Sequence, residues 1–413
     1  MKDLQGKKIV LGLTGGIACY KSAELVRRMI EHGATVDIVM TESACRFITP
    51  VTFQALSGRH VYTDLWDSRM PNNMAHIDLT RAADLVLVAP ATSNFIGKLA
   101  NGLADDLLTT LCIASPRPIL VAPAMNREMW LAPSTQRNIK QLRIDGMEIL
   151  GPGTGSQACG EVGDGRMLEP HEILAAVIGH FQPKVLVGRK VVITAGPTCE
   201  PIDPVRVITN RSSGKTGYAI AQAALECGAH VELISGPTAL PCPPGVQRTS
   251  VQTALEMRDT VMQTVGDADI FVAVAAVADW RIQNQSTEKL KKTDGQPPAL
   301  NFVQNPDILA EVASLPNGPW CVGFAAETTL DPEMAQEKRR RKRVPVLIGN
   351  LAQHVMDADH TTVELFDDTG MISLGTGEKI DIARRIVLEM ARRFNESEQS
   401  GQSHAPKGSS PRA

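Results

Sequence analysis

Three side chains with distinct chemistry stand in polar segments of the first half of the sequence. They are His76 in residues 73–78, Asn126 in residues 123–130 and Cys159 in residues 155–167. A histidine titrates near neutral pH and can exchange a proton, and an amide offers a neutral hydrogen-bond donor. A thiol between glycines can reach a ligand, whereas a structural cysteine sits in an apolar run. The structural alternatives are a histidine at a helix start and an asparagine in a turn.

A glycine-rich turn reads T-G-G-I-A at residues 14–18, directly after the apolar run of residues 8–13. Glycines let the backbone approach a phosphate, and the following helix start offers free N–H donors. The turn lacks the G-x-G-x-x-G fingerprint, and no acidic residue ends the second strand, since residues 39–42 offer only Glu42, one residue beyond it. Both features argue against a tandem NAD(P) dehydrogenase. A tight turn between a strand and a helix is the alternative.

The second half carries polar and basic segments beside predicted strand ends. Residues 194–198 follow a strand in the position of a phosphate loop. Residues 212–216, S-S-G-K-T, imitate the end of a Walker A loop, but Thr209 stands where its first glycine is required, so a P-loop NTPase is rejected. The basic run of residues 338–343 is a solvated helix face or part of a phosphate site. In a chain of net charge −3, cations concentrated at strand ends favour a triphosphate site.

The elements that position these motifs repeat. Residues 8–39 and 190–234 each show an apolar strand, a glycine turn, an amphipathic helix, a glycine stop and a second strand. Continuous apolar runs alternating with helices predict parallel strands buried on both faces. Ligands bind such folds at the carboxyl ends of the strands. We therefore predict an α/β protein with two tandem doubly wound, parallel-sheet domains of the Rossmann or flavodoxin-like type. The predicted parts are a domain at 1–181, a linker at 182–189, a domain at 190–395 and a disordered tail at 396–413.

Composition excludes several classes of protein. A length of 413 residues predicts two or three domains, and 43% hydrophobic residues exclude a largely disordered chain. An aromatic content of 4% and a net charge of −3 disfavour a nucleic-acid-binding protein. No apolar run approaches the ~20 residues of a membrane-spanning helix. Eight scattered cysteines without a C-x-x-C pair indicate neither a disulfide framework nor a zinc site, and they predict reduced thiols in the cytoplasm.

Taken together, the motifs of the first half resemble the flavin mononucleotide (FMN)-dependent cysteine decarboxylases, which include phosphopantothenoylcysteine decarboxylase. The G-G-I-A loop, the P-A-T loop at 90–92 and P-A-M-N-x-x-M-W at 123–130 match, and residues 155–167 resemble the flexible substrate lid of that family. The resemblance covers residues 7–180. The FMN contacts that it implies are Gly15, Gly16, Ile17, Ala18, Thr41, Phe47, Ala91, Thr92, Ser93 and Met125.

The resemblance also implies the chemistry. Flavin accepts two electrons from the thiol-bearing carbon, so that the neighbouring carboxylate can leave as carbon dioxide, and the resulting ene-thiol is protonated and reduced. His76 would be the base of the oxidation, and Cys159 would protonate the ene-thiol. Asn126 would hold the carboxylate with a neutral donor, because a cation would stabilise the charge that must be released. A regulatory module that binds flavin without catalysis is the alternative, against which the joint presence of these three residues argues.

The second half resembles the phosphopantothenate–cysteine ligases over residues 188–393. The matching motifs are D-P-V-R-x-I-x-N at 203–210, A-A-V-A-D at 275–279, K-L-K-K at 289–292, N-P-D-I at 305–308 and G-F-A-A-E-T at 323–328. The resemblance implies that CTP activates the substrate carboxylate as an acyl-CMP, which the amine of cysteine then attacks. Arg206 would contact the substrate, Asn210 would hold the intermediate, and Lys289 would neutralise the α-phosphate. Gln304 departs from expectation, since a basic residue is expected there.

The implied CTP contacts are Ala276, Asp279, Lys289, Pro306, Asp307, Ile308, Leu309, Phe324, Lys338 and Lys342. Asp279 would also lie near Mg²⁺ together with the nucleotide phosphates. As a whole, the sequence resembles the bacterial bifunctional enzymes of coenzyme A biosynthesis. That resemblance implies small-molecule partners, namely 4'-phosphopantothenate, cysteine and CTP, with neither nucleic acid nor membrane. It also implies a homo-oligomer of trimer-based flavin domains and dimeric ligase domains.

Overall fold

The computed structural model describes residues 3–66, 74–157, 160–290, 300–327, 331–351 and 360–401. The chain divides into two compact units, Met1–Phe181 and Gln182–Ala413. The predictions for Cys159, for the last two lysines of the K-L-K-K motif and for residues 402–413 lie outside the described residues.

The first unit is built on a six-stranded, wholly parallel sheet in the order β3-β2-β1-β4-β5-β6, with a separate antiparallel hairpin, β7–β8. Its strands are β1 (Lys8–Leu13), β2 (Thr35–Met40), β3 (Val61–Tyr62), β4 (Leu85–Ala91), β5 (Ile119–Pro123), β6 (Glu148–Ile149), β7 (Gly153–Ser156) and β8 (Val162–Arg166). Its helices are α1 (Cys19–Glu31), α2 (Glu42–Cys45), α3 (Pro50–Ser57), α4 (Ala75–Ala82), α5 (Ser93–Ala100), α6 (Leu107–Ala114), α7 (Arg127–Leu131), α8 (Pro133–Ile144) and α9 (Pro170–His180).

Helices cover both faces of this sheet, and two apolar clusters form, one on each face. Every residue of β4 is buried, as a strand in the middle of a parallel sheet requires. The loop expected for the P-A-T motif at 90–92 is wrong at its start. The strand continues through Ala91, which pairs with Pro123 on β5, and Thr92 then caps α5. The reason is that Pro90 and Ala91 are apolar enough to remain in the buried strand.

The second unit is built on an eight-stranded sheet in the order β13-β12-β9-β14-β17-β18-β19-β20 and carries two small antiparallel ribbons, β10–β11 and β15–β16. Its strands are β9 (Lys190–Ala195), β10 (Cys199–Pro201), β11 (Val207–Thr209), β12 (His230–Ser235), β13 (Gln247–Ser250), β14 (Ile270–Ala273), β15 (Trp280–Ile282), β16 (Phe302–Gln304), β17 (Trp320–Glu327), β18 (Val346–Leu351), β19 (His360–Asp367) and β20 (Gly370–Glu378). Its helices are α10 (Lys215–Glu226), α11 (Ala254–Thr264), α12 (Ile308–Ala313), α13 (Pro332–Lys342) and α14 (Lys379–Gln399), with a 3₁₀ helix at Val265–Asp267.

The second sheet is parallel from β13 to β18 and antiparallel at its last two strands. The predicted class, two doubly wound α/β units of Rossmann or flavodoxin type, is confirmed. The antiparallel pair β19–β20 was not predicted. It is a hairpin whose short turn lets the chain fold back directly, whereas a parallel connection would need a helix.

The segment between the units and the end of the chain differ from expectation. Leu186 is buried in the core of the second unit, and Lys184 Nζ donates to the Glu226 carbonyl at 2.6 Å, so residues 182–189 pack against that unit. The disordered tail predicted from residue 396 is wrong for residues 396–399, which extend α14. There the Glu396 carboxylate accepts from Arg392 at 2.6 Å, one helical turn away. No helix in the described ranges combines the length and apolarity needed to cross a bilayer.

Candidate active sites

Three turns of the first unit meet at the carboxyl edge of its sheet, because β2, β1 and β4 are adjacent. Thr14 Oγ1 donates to the Pro90 carbonyl at 2.8 Å and accepts from the Thr92 N–H at 2.9 Å. Gly15 approaches α2 so closely that an added Cβ would lie 2.3 Å from Ser43 Cβ. Only glycine fits there, so the glycine-rich turn and the two turns it contacts form one surface of predicted flavin residues.

The other predicted flavin residues contribute in different ways. Ile17 and Phe47 expose 63% and 54% of their surface and offer large apolar side chains. Thr41 caps α2, its Oγ1 accepting from the Ala44 N–H at 3.2 Å. Ala91 is fully buried, so it offers a ligand no side-chain surface. Its carbonyl accepts from the Ala124 N–H at 2.9 Å and fixes the start of the P-A-M-N turn.

His76 is the second residue of α4, the helix that precedes β4. Because a helix that leads into a parallel strand runs opposite to that strand, the start of α4 and His76 lie at the carboxyl edge of the sheet. Its Nδ1 atom is buried and has no hydrogen-bond partner among the described residues. A buried polar atom without a partner is costly. This ring nitrogen is therefore a candidate contact for a ligand or for proton transfer.

Asn126 caps the short helix α7. Its Oδ1 accepts from the N–H groups of Glu128 at 2.8 Å and Met129 at 3.4 Å, and its Nδ2 donates to Glu161 Oε2 at 2.6 Å. The cap fixes which end of the amide is oxygen, because only Oδ1 can accept from backbone N–H groups. Asn126 therefore presents a neutral donor away from the helix.

The hairpin β7–β8 lies over this turn. The Met125 N–H donates to the Gly165 carbonyl at 2.8 Å, and the Arg127 N–H donates to Gln157 Oε1 at 3.0 Å. An added Cβ at Gly165, where φ is 126°, would lie 2.6 Å from the Met125 carbonyl oxygen. The glycines of this segment thus permit close backbone approach.

The base of the hairpin is held by a buried lysine that sequence reasoning missed. Lys21, 5% exposed, donates to the Met167 carbonyl at 3.0 Å and to Glu169 Oε1 at 2.8 Å, and Arg166 reaches the same carboxylate at 2.7 Å. The hydrogen bond from Lys21 lowers the pKa of Glu169. The sequence contained one indication of this role, because Lys21 lies one helical turn before Leu25 on the buried face of α1.

The second unit encloses a cavity of about 870 Å³ at the carboxyl edge of its sheet. All the predicted CTP contacts except Lys289 line it: Ala276, Asp279, Pro306, Asp307, Ile308, Leu309, Phe324, Lys338 and Lys342. Asn210 and the neutral Gln304 line it as well. The motifs that follow separate strands are therefore brought into one concave site.

Two asparagine side chains, one buried and one exposed, hold the cavity loops together. Asn305, 7% exposed, donates from Nδ2 to the Ala278 carbonyl at 2.7 Å, and its N–H donates to the Asp279 carbonyl at 2.8 Å. Asn210 Nδ2 donates to the carbonyls of Ala276 at 3.2 Å and Val277 at 3.1 Å. The segment at 275–279 is thus held from both sides.

The basic run on α13 is more than a solvated helix face. Lys338, Arg341 and Lys342 share one face at helical spacing and line the cavity. Lys342 pairs with Asp307, whose other oxygen caps α12 by accepting from the Ala310 N–H at 3.2 Å. Cations of this run therefore belong to the site.

Arg206 and Lys289, both predicted catalytic residues, are absent from the cavity lining but lie beside each other in sequence-distant segments. Asp203 accepts from the Arg206 N–H at 2.9 Å and from the Leu290 N–H at 3.1 Å, and Arg206 Nη2 donates to the Leu290 carbonyl at 3.3 Å. Burial alone would raise the pKa of the Asp203 carboxyl, but backbone donors, the Val205 N–H foremost, outweigh burial and lower it. A buried carboxylate thus ties the two segments together.

Sequence reasoning missed several polar residues of the cavity: Arg211, Ser212, Ser213, Lys215, Arg341, Asn350 and Lys379. The S-S-G-K segment was a visible signal, since it leads into α10, whose N-cap is Gly214 with φ 79°. Asn350 is the penultimate residue of β18 and Lys379 is the first residue of α14, and neither has a local motif. Within the described ranges, no group of three or more His, Cys, Asp or Glu side chains could hold a metal ion.

Comparison with known proteins matches the first and the second unit to two different family models. Residues 1–182 match the family model Flavoprotein, and residues 186–394 match the DNA/pantothenate metabolism flavoprotein C-terminal domain. The chain is 48% identical over 392 residues to the coenzyme A biosynthesis bifunctional protein CoaBC of Vibrio cholerae, covering 94% of this chain and 98% of that protein. It is 46% identical over 401 residues to CoaBC of Escherichia coli K12, covering 95% and 99%. A crystal structure of the C-terminal domain of CoaBC has 34% identity, covers 52% of this chain and 99% of that chain, and gives a TM-score of 0.45.

The fold, the sites and these matches define a flavoprotein of two α/β units. The chain belongs to the family of bifunctional coenzyme A biosynthesis proteins. The expectation of a bifunctional enzyme of coenzyme A biosynthesis, a decarboxylase followed in sequence by a ligase, is confirmed.

Proposed function

We propose that the second unit joins 4'-phosphopantothenate to cysteine with CTP and Mg²⁺, and that the first unit decarboxylates the product to 4'-phosphopantetheine with FMN. The observation that carries this proposal is the separation of the predicted side chains into two sites. Among the described residues, the decarboxylase group lies at the carboxyl edge of the first sheet, and the ligase group, except Arg206 and Lys289, lines a single cavity at the carboxyl edge of the second.

For ligation, the substrate carboxylate attacks the α-phosphorus of CTP and pyrophosphate leaves. The cysteine amine then attacks the acyl carbon and CMP leaves. Lys338 and Lys342 lie on the cavity wall where they can neutralise a triphosphate. Asp279 suits Mg²⁺, because this ion is commonly held by one or two carboxylates together with nucleotide phosphates. The apolar contacts for base and ribose are assigned to Ala276, Pro306, Ile308, Leu309 and Phe324.

Asn210 is assigned to the acyl-CMP, and its bonds to the 276 and 277 carbonyls support this by fixing its amide in the cavity. Arg206 is assigned to the substrate and Lys289 to the α-phosphate. Their shared anchor at Asp203 supports a joint role.

The residues of the first unit fit a flavin phosphate and ring. The T-G-G-I-A turn brings backbone close to the start of α5, where N–H groups can bind a phosphate. The exposed side chains of Ile17 and Phe47 can pack against an aromatic ring system. Thr41, Ser93 and Met125 complete the proposed contacts. Bound FMN supplies a two-electron acceptor for the thiol-bearing carbon.

Three side chains are assigned to the decarboxylase reaction. His76 takes the proton released in the oxidation, and its buried Nδ1, which has no hydrogen-bond partner in the described part of the chain, supports a ligand contact. Asn126 orients the substrate carboxylate with its outward N–H and adds no positive charge that would oppose loss of carbon dioxide. Cys159 returns a proton to the decarboxylated product, an assignment that rests on the resemblance alone.

The proposal includes a cytoplasmic homo-oligomer with trimer-based flavin units and dimeric ligase units. The cysteines of the described residues form no disulfide, which supports a reducing compartment. Exposed aromatic side chains on β15 and β16, Trp280 at 53% and Phe302 at 52%, support a self-association surface in the second unit.

A product analysis tests the proposal. The purified protein is incubated with 4'-phosphopantothenate, cysteine, Mg²⁺ and each nucleoside triphosphate separately, and the products are identified by mass. We expect 4'-phosphopantetheine with CTP, and block of ligation but not of decarboxylation when Mg²⁺ is chelated. The protein should also carry flavin near one per chain. A colourless protein, or ligation without a nucleotide, would contradict the proposal.

A further inference from the structure

The amide of Asn126, which we propose holds the substrate carboxylate, is already hydrogen-bonded to a carboxylate of the protein. Glu161 Oε2 accepts from Asn126 Nδ2 at 2.6 Å. The Oδ1 of that amide is engaged at the start of α7, so the donor end faces Glu161. A hydrogen bond to an ionised acceptor is stronger than one between neutral groups.

We infer that Glu161 stands in for the substrate carboxylate in the free enzyme and is displaced when the substrate binds. This inference rests on the proposed role of Asn126. The Nδ2 atom of Asn126 has two N–H groups, but two carboxylates hydrogen-bonded to the same nitrogen would lie close together and repel each other. The substrate carboxylate therefore binds less favourably, because its binding must replace the hydrogen bond that Glu161 already makes to Asn126.

The surrounding contacts allow Glu161 to leave alone. The hairpin is held over the turn by the Met125–Gly165 and Arg127–Gln157 hydrogen bonds, neither of which involves the Glu161 side chain. Glu161 is exposed, so its carboxylate can return to water at little cost. Displacement then requires a side-chain rotation and no opening of the hairpin.

The arrangement gives the site a way to distinguish substrate from product. The substrate carries a carboxylate that competes for Asn126, whereas 4'-phosphopantetheine has lost it as carbon dioxide. Glu161 can therefore return to Asn126 while the product is still bound. The contact would act as a specificity determinant that opposes the substrate only.

Glu161→Gln tests this inference in the full-length flavin-loaded enzyme. A neutral amide oxygen accepts more weakly than a carboxylate and does not repel the substrate. We therefore expect the KM for 4'-phosphopantothenoylcysteine to fall by about fivefold, while the inhibition constant of 4'-phosphopantetheine stays unchanged. The matched control is Glu128→Gln, which removes the same charge from a neighbouring carboxylate that faces Arg127 at 3.5 Å. The control should leave both constants as in the wild type.

Two results would overturn the inference. An equal change in both constants would mean that Glu161 acts on the hairpin generally, and no change in either would mean that it does not compete with substrate. Failure of the proposed function would be visible separately, because the wild-type enzyme would then release no carbon dioxide. The flavin content of the same preparations reports whether the first unit of each variant is folded.

Discussion

The two units place their sites at the same edge of similar sheets but equip them with different charges. In the first unit the groups assigned to ligand contacts are backbone groups and neutral side chains such as Thr14, Thr92 and Asn126, and the nearby charged side chains Lys21, Glu161 and Glu169 contact other groups of the chain. In the second unit the cavity is lined by many cations: Arg211, Lys215, Lys338, Arg341, Lys342 and Lys379. Two carboxylates, Asp279 and Asp307, accompany them.

The difference follows from the charge that each reaction handles. Loss of carbon dioxide disperses negative charge from the substrate carboxylate, so a strong cation on that group would stabilise the ground state. Phosphoryl transfer instead gathers negative charge around the nucleotide, which cations stabilise. One architecture thus supports opposite electrostatics, because the residues that follow each strand can vary independently of the buried sheet.

The largest expected effect comes from Asn210→Asp. The new carboxylate would face the carbonyl oxygens of Ala276 and Val277, which now accept hydrogen bonds, and would repel the acyl phosphate. We expect ligation to fall by about a thousandfold. Decarboxylation of supplied 4'-phosphopantothenoylcysteine should remain, as measured by carbon dioxide release.

Loss of both activities in Asn210→Asp would break the comparison, since the units would then not work independently. Asn210→Ser serves as the control for charge. It removes the amide without adding a carboxylate, so ligation should fall less than in Asn210→Asp.

The mirror-image variant is Asn126→Asp in the first unit. An aspartate can still cap α7 through the oxygen that accepts from Glu128 and Met129, so the fold is expected to persist. Its second oxygen replaces the donor and repels a substrate carboxylate. We expect decarboxylation to fall by about a hundredfold, with ligation unchanged in the same assay.

A cationic substitution sharpens this result. If a neutral donor is what the site needs, Asn126→Lys should not restore the rate of decarboxylation, although it would attract the carboxylate. Recovery of activity with lysine would contradict the argument that the first unit avoids positive charge.

Much of this contrast was predictable from sequence, because the residues that differ between the two sites directly follow predicted strands. Apolar runs marked the buried strands, and parallel strands bring their carboxyl ends to one edge. The grouping of Asp279, Asp307 and Lys338 in one cavity follows from these two facts and the motifs. The cap at Asn126 is likewise local, since asparagine after a strand and before a helix can accept from the first N–H groups.

The unpredicted parts depend on contacts between segments far apart in sequence. Lys379 lines the cavity because β19 and β20 return the chain to the sheet. No motif around Lys379 in the sequence predicts this position. The contact of Glu161 with Asn126 depends on how the hairpin packs over the turn. Arg206 and Lys289 carried motif signals, but Asp203 holds their segments beside each other and apart from the cavity lining.

A smaller effect is expected from Lys342→Met. The change removes a cavity cation and leaves the partly exposed carboxylate of Asp307 without its partner, so the site becomes less favourable for a triphosphate. We expect the KM for CTP to rise by about tenfold with little change in the decarboxylase rate. Arg340→Met is the matched control, since Arg340 lies on the same helix, is exposed and does not line the cavity. Equal effects of the two variants would mean that the helix acts only through its overall charge.

The smallest expected effect concerns stability. We expect the unfolding free energy of the second unit to depend on alkaline pH through a buried thiol. Burial raises the pKa of Cys321 to about 12, whereas in the unfolded chain this thiol ionises near its ordinary value. Its contribution to stability is therefore complete below pH ~9 and is lost as pH rises towards 12, because only the unfolded state releases the proton. Cys321→Ala removes this linkage, so the unfolding free energy of the variant should fall less steeply above pH ~9. The difference in slope is at most about 1.4 kcal/mol per pH unit, measured by urea unfolding at several pH values. The cavity left by the missing sulfur lowers stability equally at every pH, so only the slope tests the prediction, and parallel curves for the two proteins would refute it.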